Sequence, residues 1–160
     1  MSTELHCYDY VNQPFELVRS AVLADTQALL KRATSRGGNS KLHVGLLGLE
    51  IGAEIEIELG TVLEHRESLQ RPTTTIELAW RSRRGAAWFP VMNAHLAIYP
   101  LSPTETQLEL SGTYKPPLGL LGDAVDAVAL RRIAQEAVAT FVREVATHLR
   151  ANLAAVHAPA

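Results

Sequence analysis

The chain has 160 residues, of which 17 are acidic and 15 are lysine or arginine, and its formal net charge is -2. A chain of this size is typical of one domain with a single sizeable core. The nearly balanced charge creates no long-range field that would favour nucleic acid or an anionic membrane surface, so we expect no nucleic-acid partner.

The N-terminus has no basic region followed by an apolar core, and no apolar run approaches the roughly 20 residues that span a bilayer. We therefore expect a soluble, cytoplasmic protein without stable membrane insertion. The chain has one cysteine, Cys7, so it can form neither an intrachain disulfide nor a thiolate metal site. This pattern is typical of a half-buried structural cysteine.

The N-terminal quarter predicts one strand followed by two short helices. Residues 5–11 alternate as a strand, which ends at residues 12–14. Pro14 suits the first turn of a helix, because the N–H that it lacks has no partner there. Asp25 is a candidate N-cap for the second helix, which the glycines at 37 and 38 end.

From residue 41 onward the hydrophobic period becomes two, which indicates strands. The alternation is clearest in residues 53–59, where Glu54, Glu56 and Glu58 share the solvent face and do not form a paired-carboxylate site. The further predicted strands are residues 42–47, 62–67 as a continuation of 53–59, 73–82, 91–101 and 105–114. No helical segment separates them, so we expect one antiparallel sheet of about six strands.

One long amphipathic helix follows the strands. Asp123 is its candidate N-cap, and its length to about Asn152 is ~45 Å at ~1.5 Å per residue. Its apolar stripe consists of Ala127, Leu130, Ala134, Ala137, Val138, Phe141, Val145 and Leu149. Polar residues on the other side are Arg132, Gln135, Glu136, Arg143, Glu144 and Arg150. We expect one domain over residues 1–153 and a flexible tail over 154–160.

Two segments resemble a known superfamily. Residues 10–18 (YVNQPFELV) resemble the strand, proline and helix that open START-like (SRPBCC) proteins, and residues 117–123 with 130–138 resemble the entry to their long helix. The resemblance covers the element order of nearly the whole chain. It implies an α+β helix-grip fold of order β-α-α-β(5–6)-α, whose curved sheet closes over the C-terminal helix around a hydrophobic cavity. Members include lipid carriers, plant allergens and polyketide cyclases or aromatases.

The pleat predicts which side chains point toward that helix. The candidates that line a cavity are Ile76, Leu78, Trp80, Met92, Leu96, Ile98, Leu108, Leu110, Tyr114, Leu130, Ala134 and Phe141. Periodicity alone favours a solid core, because apolar stripes more often fill space than surround a ligand, whereas the resemblance implies a cavity. The alanines of the helix stripe remove side-chain volume, and this favours a small or narrow cavity.

Few polar side chains could orient a ligand. Arg131, at the edge of the helix stripe, is a candidate polar anchor that would need a carboxylate or phosphate partner. The alternative is a guanidinium that reaches solvent or pairs with a nearby carboxylate of the protein. Tyr114 could donate a hydrogen bond at the cavity mouth or simply pack. The other candidates are Thr74, Ser82 and Thr106.

No catalytic constellation is visible, so we predict no catalytic residue, no metal and no cofactor. The six histidines have no metal-ligand spacing, and His95 alternates with the apolar residues of its strand and should face away from Met92 and Leu96. Nucleophile-elbow, P-loop and dinucleotide motifs are lacking as well.

Residues 81–90 combine three arginines with Trp88 and Phe89 at a predicted hairpin tip. This tip could touch an anionic lipid surface or gate a ligand, or it could be a solvated basic turn. Together with an exposed sheet edge, it makes a homodimer possible.

Three functional hypotheses remain open at this stage. The leading one is binding or carriage of a lipophilic small molecule or lipid in an internal apolar cavity, without catalysis. The second is a polyketide cyclase or aromatase-like enzyme, and the third is a protein-interaction domain with a filled core.

Overall fold

A computed structural model describes residues 3–38, 44–46, 49–51, 55–65, 70–82, 91–115 and 127–156. The elements are β1 (Thr3–Val11), α1 (Phe15–Ala24), α2 (Thr26–Gly38), β2 (Val44–Leu46), β3 (Leu49–Ile51), β4 (Ile55–His65), β5 (Thr73–Ser82), β6 (Val91–Ser102), β7 (Glu105–Lys115) and α3 (Ala127–Val156). The predicted order, with two early helices and one late long helix, is confirmed.

The main sheet is antiparallel and curved, with the strand order β1-β7-β6-β5-β4. It has five strands where about six were expected. The predicted strand at residues 42–47 contributes only β2, which pairs with β3 in a separate two-stranded sheet, Val44 opposite Ile51. Pairing between segments this close along the chain costs little loop-closure entropy, which favours a local hairpin over addition to the main sheet.

β4 is a single strand, as the continuation of residues 53–59 predicted, but its register shifts between Leu59 and Val62. Gly60 lies at this irregularity, and a Cβ added there would be 2.8 Å from Glu77 Cβ. Glycine therefore allows β4 and β5 to stay close where the strand bulges.

The two early helices begin and end where local chemistry predicts. Pro14 precedes α1, which buries Phe15, Val18 and Val22. The Asp25 carboxylate accepts a hydrogen bond from the Ala28 N–H at 3.0 Å, so Asp25 caps α2 as expected. α2 ends at Gly38.

α3 begins at Ala127 and continues to Val156, four residues beyond the expected end at Asn152. Leu153 is buried, and its packing holds the last turn of the helix against the core. The first residues of the expected tail are therefore helical. The candidate cap Asp123 lies outside the described residues.

α3 lies along β1 and β7 and also contacts α1 and α2. Arg150 connects α3 to β1. The Nη2 of Arg150 donates to Asp9 Oδ1 at 2.7 Å and also to the Tyr10 carbonyl. The buried hydrophobic residues of the core lie between the inner face of the sheet and the helices. Within the described ranges, no helix has the length and apolar character needed to cross a bilayer.

Candidate ligand-binding site

The strand register aligns three large side chains in one row across the inner face of the sheet. Trp80 on β5 lies opposite Met92 on β6, and Met92 lies opposite Tyr114 on β7. All three are buried, with Trp80 8% and Tyr114 3% exposed. Because neighbouring strands are about 4.8 Å apart, the Trp80 and Tyr114 backbones are separated by roughly 10 Å.

The next row has two small residues between Leu78 on β5 and Leu5 on β1. Ala94 on β6 lies opposite Gly112 on β7, and a Cβ added to Gly112 would be 2.8 Å from Ala94 Cβ and 2.7 Å from the Asn93 carbonyl oxygen. The two strands approach so closely here that only glycine fits. On the helix side, Ala134 packs partly buried against the core. Short side chains on both walls reduce the volume that fills the space between them.

An aromatic pair connects β5 to α3. The ring centroids of Trp80 and Phe141 are 5.1 Å apart, and the rings meet edge to face at 85°. This is a favourable geometry for two aromatic rings. It joins the sheet to the helix at the level of the Trp80, Met92 and Tyr114 row.

The Trp80 side chain also carries an unsatisfied polar group. Its Nε1 is fully buried and has no hydrogen-bond partner among the protein atoms that the structure describes. Leaving a buried donor unpaired costs about 1–3 kcal/mol. A ligand that supplies a hydrogen-bond acceptor would recover this free energy on binding. From its alternation, Trp80 was expected to be an apolar lining residue; its N–H is the polar feature that this expectation missed.

Tyr114 is the second polar group of this row. Burial of its ring raises the pKa of the phenol above its ordinary value of 10.0. The hydroxyl therefore stays protonated at neutral pH and keeps its capacity to donate a hydrogen bond.

Most of the predicted lining residues come together in one buried cluster. Its members are Ile76, Leu78, Trp80, Met92, Leu96, Ile98, Leu108, Leu110, Tyr114 and Phe141, with Ala134 partly buried beside them. Leu130 belongs to α3, but its side chain lies outside the described residues. Arg131 is exposed on α3. The structure does not bring this candidate anchor into the cluster.

The inward threonines are buried as their alternation predicted. Thr106 Oγ1 donates to the Gln13 carbonyl at 2.8 Å and so ties β7 to the segment before α1. The Thr106 hydroxyl hydrogen is therefore used in a structural hydrogen bond and is not available to a ligand. The side chain of Ser82 lies outside the described residues, as does the aromatic tip at residues 83–90.

α3 contributes two further buried polar atoms that sequence reasoning did not find. Glu144 Oε2 and His148 Nε2 are shielded from solvent and have no hydrogen-bond partner in the described part of the chain. The sequence predicts Glu144 on the polar side of the helix, and His148 is one of the six histidines without metal-ligand spacing. The available signal was spacing: both follow Phe141 at i+3 and i+7, which places them on one helix face.

Side chains on the outer face of the sheet stand apart from this cluster. His95 is exposed and faces away from Met92 and Leu96, as predicted, and Glu58 is exposed as well. With Gly60, Glu77 and Asn93 these residues line an open depression of about 310 Å³. In the described ranges, no group of three or more His, Cys, Asp or Glu side chains could hold a metal ion.

Cys7 is half-buried on β1. Burial, with a smaller contribution from the neighbouring charge of Asp9, raises the pKa of its thiol to about 11. A thiol with so high a pKa is a poor nucleophile at neutral pH, which agrees with the structural role expected from the sequence.

No family model matches the sequence, and the comparison with curated proteins found no match. Solved structures are similar in fold. The Zhui aromatase/cyclase from Streptomyces sp. R1128 superposes with a TM-score of 0.54 at 16% identity, covering 99% of this chain and 100% of that chain. A START superfamily protein from Mycobacterium smegmatis superposes with a TM-score of 0.50 at 11% identity, covering 93% and 98%. The chain therefore has the START-like helix-grip fold that its sequence predicted.

Proposed function

We propose that this protein binds a lipophilic small molecule or lipid between the inner face of the sheet and α3. The observation that carries the proposal is the buried Trp80 Nε1, a hydrogen-bond donor without a protein partner in the described residues. A ligand acceptor such as a carbonyl oxygen would satisfy it, while the apolar side chains around it would bind the rest of the molecule.

The walls around Trp80 support this proposal. Large apolar side chains surround the row, the small residues Ala94 and Gly112 lie in the next row of the sheet, and Ala134 of α3 packs against the same core. The fold points the same way, since one of the similar structures is an aromatase/cyclase and another is a START superfamily protein. Both comparisons support a ligand-binding interior without naming a ligand.

A matched pair of probes tests the proposal. Binding of 2-acetylnaphthalene and 2-ethylnaphthalene is measured by calorimetry on wild type and on Trp80→Phe, which keeps a ring but removes the N–H. We expect wild type to prefer the acetyl compound by roughly 3- to 10-fold, the net value of one hydrogen bond, and Trp80→Phe to lose that preference. The ethyl compound serves as the internal control.

Native mass spectrometry of the purified protein, with thermal shifts across a panel of fatty acids and phospholipids, extends the test to natural ligands. If no ligand co-purifies, no lipid raises the melting temperature and neither naphthalene binds, the interior is filled by side chains. That result would reject the carrier and favour a protein-interaction domain.

A cyclase or aromatase-like enzyme is the second candidate. The observation that favours it is the pair Glu144 and His148, two groups able to move protons whose buried atoms have no described partner. Incubation with a linear poly-β-ketone distinguishes the two, because an enzyme would form a ring and release water, giving a mass loss of one water per dehydration. A carrier would return the compound unchanged.

We also propose that the protein is located in the cytoplasm and that it forms a homodimer. Size-exclusion chromatography with light scattering at several protein concentrations tests the homodimer, and a single monomer mass throughout would reject it.

A further inference from the structure

The face of α3 that begins at Phe141 continues into a polar pair. Glu144 and His148 are separated by four residues, so their Cβ atoms are about 5–6 Å apart on one side of the helix. Each residue is partly buried, but the Oε2 of one and the Nε2 of the other are sealed from solvent. Phe141 in turn contacts Trp80. One face of α3 therefore carries both Phe141, which contacts Trp80, and the two buried polar atoms of Glu144 and His148.

Glu144 Oε2 and His148 Nε2 have complementary hydrogen-bonding capacities. A glutamate carboxylate only accepts hydrogen bonds, whereas a neutral imidazole nitrogen can donate, depending on its tautomer. Neither atom has found a partner among the described protein groups. Burying such atoms unpaired is unfavourable, so a single group that both donates and accepts would satisfy the pair at once.

We propose that the bound molecule carries a hydroxyl group and that Glu144 and His148 bind it. The hydroxyl hydrogen is donated to Glu144 Oε2, and its oxygen accepts from the His148 Nε2–H. This inference rests on the proposed ligand-binding function and adds the class of ligand: a lipophilic alcohol or phenol.

Other polar groups fit this pair less well. A carboxylate on the ligand would be repelled by Glu144, and a ketone would leave Glu144 Oε2 unsatisfied. An ammonium group has no acceptor for His148 Nε2–H. A hydroxyl satisfies both atoms without introducing a charge into the interior.

Helix geometry also limits where the hydroxyl lies relative to Trp80. At about 1.5 Å per residue, Glu144 is ~4.5 Å and His148 ~10 Å along the α3 axis from Phe141. The ligand should therefore present an acceptor to the Trp80 Nε1–H at one end and a hydroxyl at the other. A rigid aromatic skeleton with these groups on opposite sides meets this requirement.

Two probes that differ only at the hydroxyl test the inference. The compounds are 6-acetyl-2-naphthol and 2-acetyl-6-methoxynaphthalene, which share the acetyl acceptor, and calorimetry measures their dissociation constants on wild type, Glu144→Leu and His148→Leu. We expect wild type to bind the naphthol at least roughly tenfold more tightly than the methyl ether. Glu144→Leu should bring this ratio close to one, because it removes the acceptor that only the naphthol can use. His148→Leu should weaken both compounds and leave most of the ratio, because the ether oxygen and the hydroxyl oxygen can both accept from the imidazole.

Glu136→Leu is the matched control, because Glu136 is an exposed carboxylate on the same helix. It should keep the full wild-type ratio. Since both probes are measured on each variant, a general loss of stability alters both constants and leaves their ratio informative; thermal unfolding confirms that each variant is folded.

The outcomes separate this inference from the function on which it rests. Equal binding of both probes to wild type, a ratio that persists in Glu144→Leu, or unchanged binding of both probes in His148→Leu would overturn the hydroxyl site while leaving the apolar site intact. If neither probe nor 2-acetylnaphthalene binds, both proposals are rejected.

Discussion

Arg150 and Asp9 join the last helix to the first strand across 141 positions of the sequence, with Nη2 of Arg150 at 2.7 Å from Oδ1 of Asp9. The same guanidinium donates to the Tyr10 carbonyl and lies 5.8 Å from the centre of the Tyr10 ring. β1 is an edge strand of the five-stranded sheet. α3 is therefore attached to the edge strand β1. The same sheet forms the wall of the proposed ligand site opposite α3.

Replacing Arg150 by methionine should lower the free energy of unfolding by about 1 kcal/mol. Methionine keeps most of the apolar stem but loses the ion pair and the carbonyl contact, and both partners are partly exposed, which limits the loss. Urea unfolding measures the change. Arg143→Met, at an exposed position of the same helix, should change stability by less than about 0.5 kcal/mol. Equal effects at the two positions would show that the Asp9 contact contributes nothing specific.

Glu109 on the outer face should make stability depend on acidic pH. The Tyr99 hydroxyl donates to its Oε2, and His6 Nε2 is 2.9 Å from its Oε1. Mainly because of the Tyr99 hydrogen bond, the pKa of Glu109 lies below its ordinary value of 4.5. A depressed folded-state pKa stabilises the protein above the unfolded value, and this stabilisation is lost as the pH falls through the folded value.

We therefore expect Glu109→Gln to be less stable than wild type at pH 7 and the difference to shrink as the pH is lowered below about 4.5. Unfolding free energies measured from pH 7 to pH 3 give both curves. Glu4→Gln, at an exposed carboxylate of β1, is the control and should follow the wild-type curve within about 0.5 kcal/mol. A Glu109→Gln difference that stays constant across this range would contradict the prediction.

Gly112→Ala should destabilise the fold by about 1–3 kcal/mol, because the added methyl would be 2.7 Å from the Asn93 carbonyl oxygen and 2.8 Å from Ala94 Cβ. Chemical denaturation measures the loss. Adding Ala94→Gly should restore part of it by removing one of the two close contacts. If the double variant loses stability equal to the sum of the two single losses, the Ala94 contact is not the source of strain.

Much of this architecture could be predicted from the sequence, because the interactions involved are local. Alternation along residues 74–80 and 92–98 assigned the inward side chains correctly, since the pleat alone dictates which neighbours share a face. Asp25 was identifiable as a cap, because its partner Ala28 is three residues away. Pairing was harder to predict: β2 and β3 form their own hairpin, and no local pattern states which strands become neighbours.

The functional features were decided by tertiary structure. Trp80, Glu144 and His148 became candidates only when folding buried their polar atoms and supplied no partner in the described residues, and Arg131 is exposed on α3, outside the buried cluster. Periodicity assigns a side chain to a face. Whether a polar atom on that face is hydrated, paired or isolated depends on groups brought near it from distant parts of the chain, and the sequence alone does not encode that proximity in any local pattern.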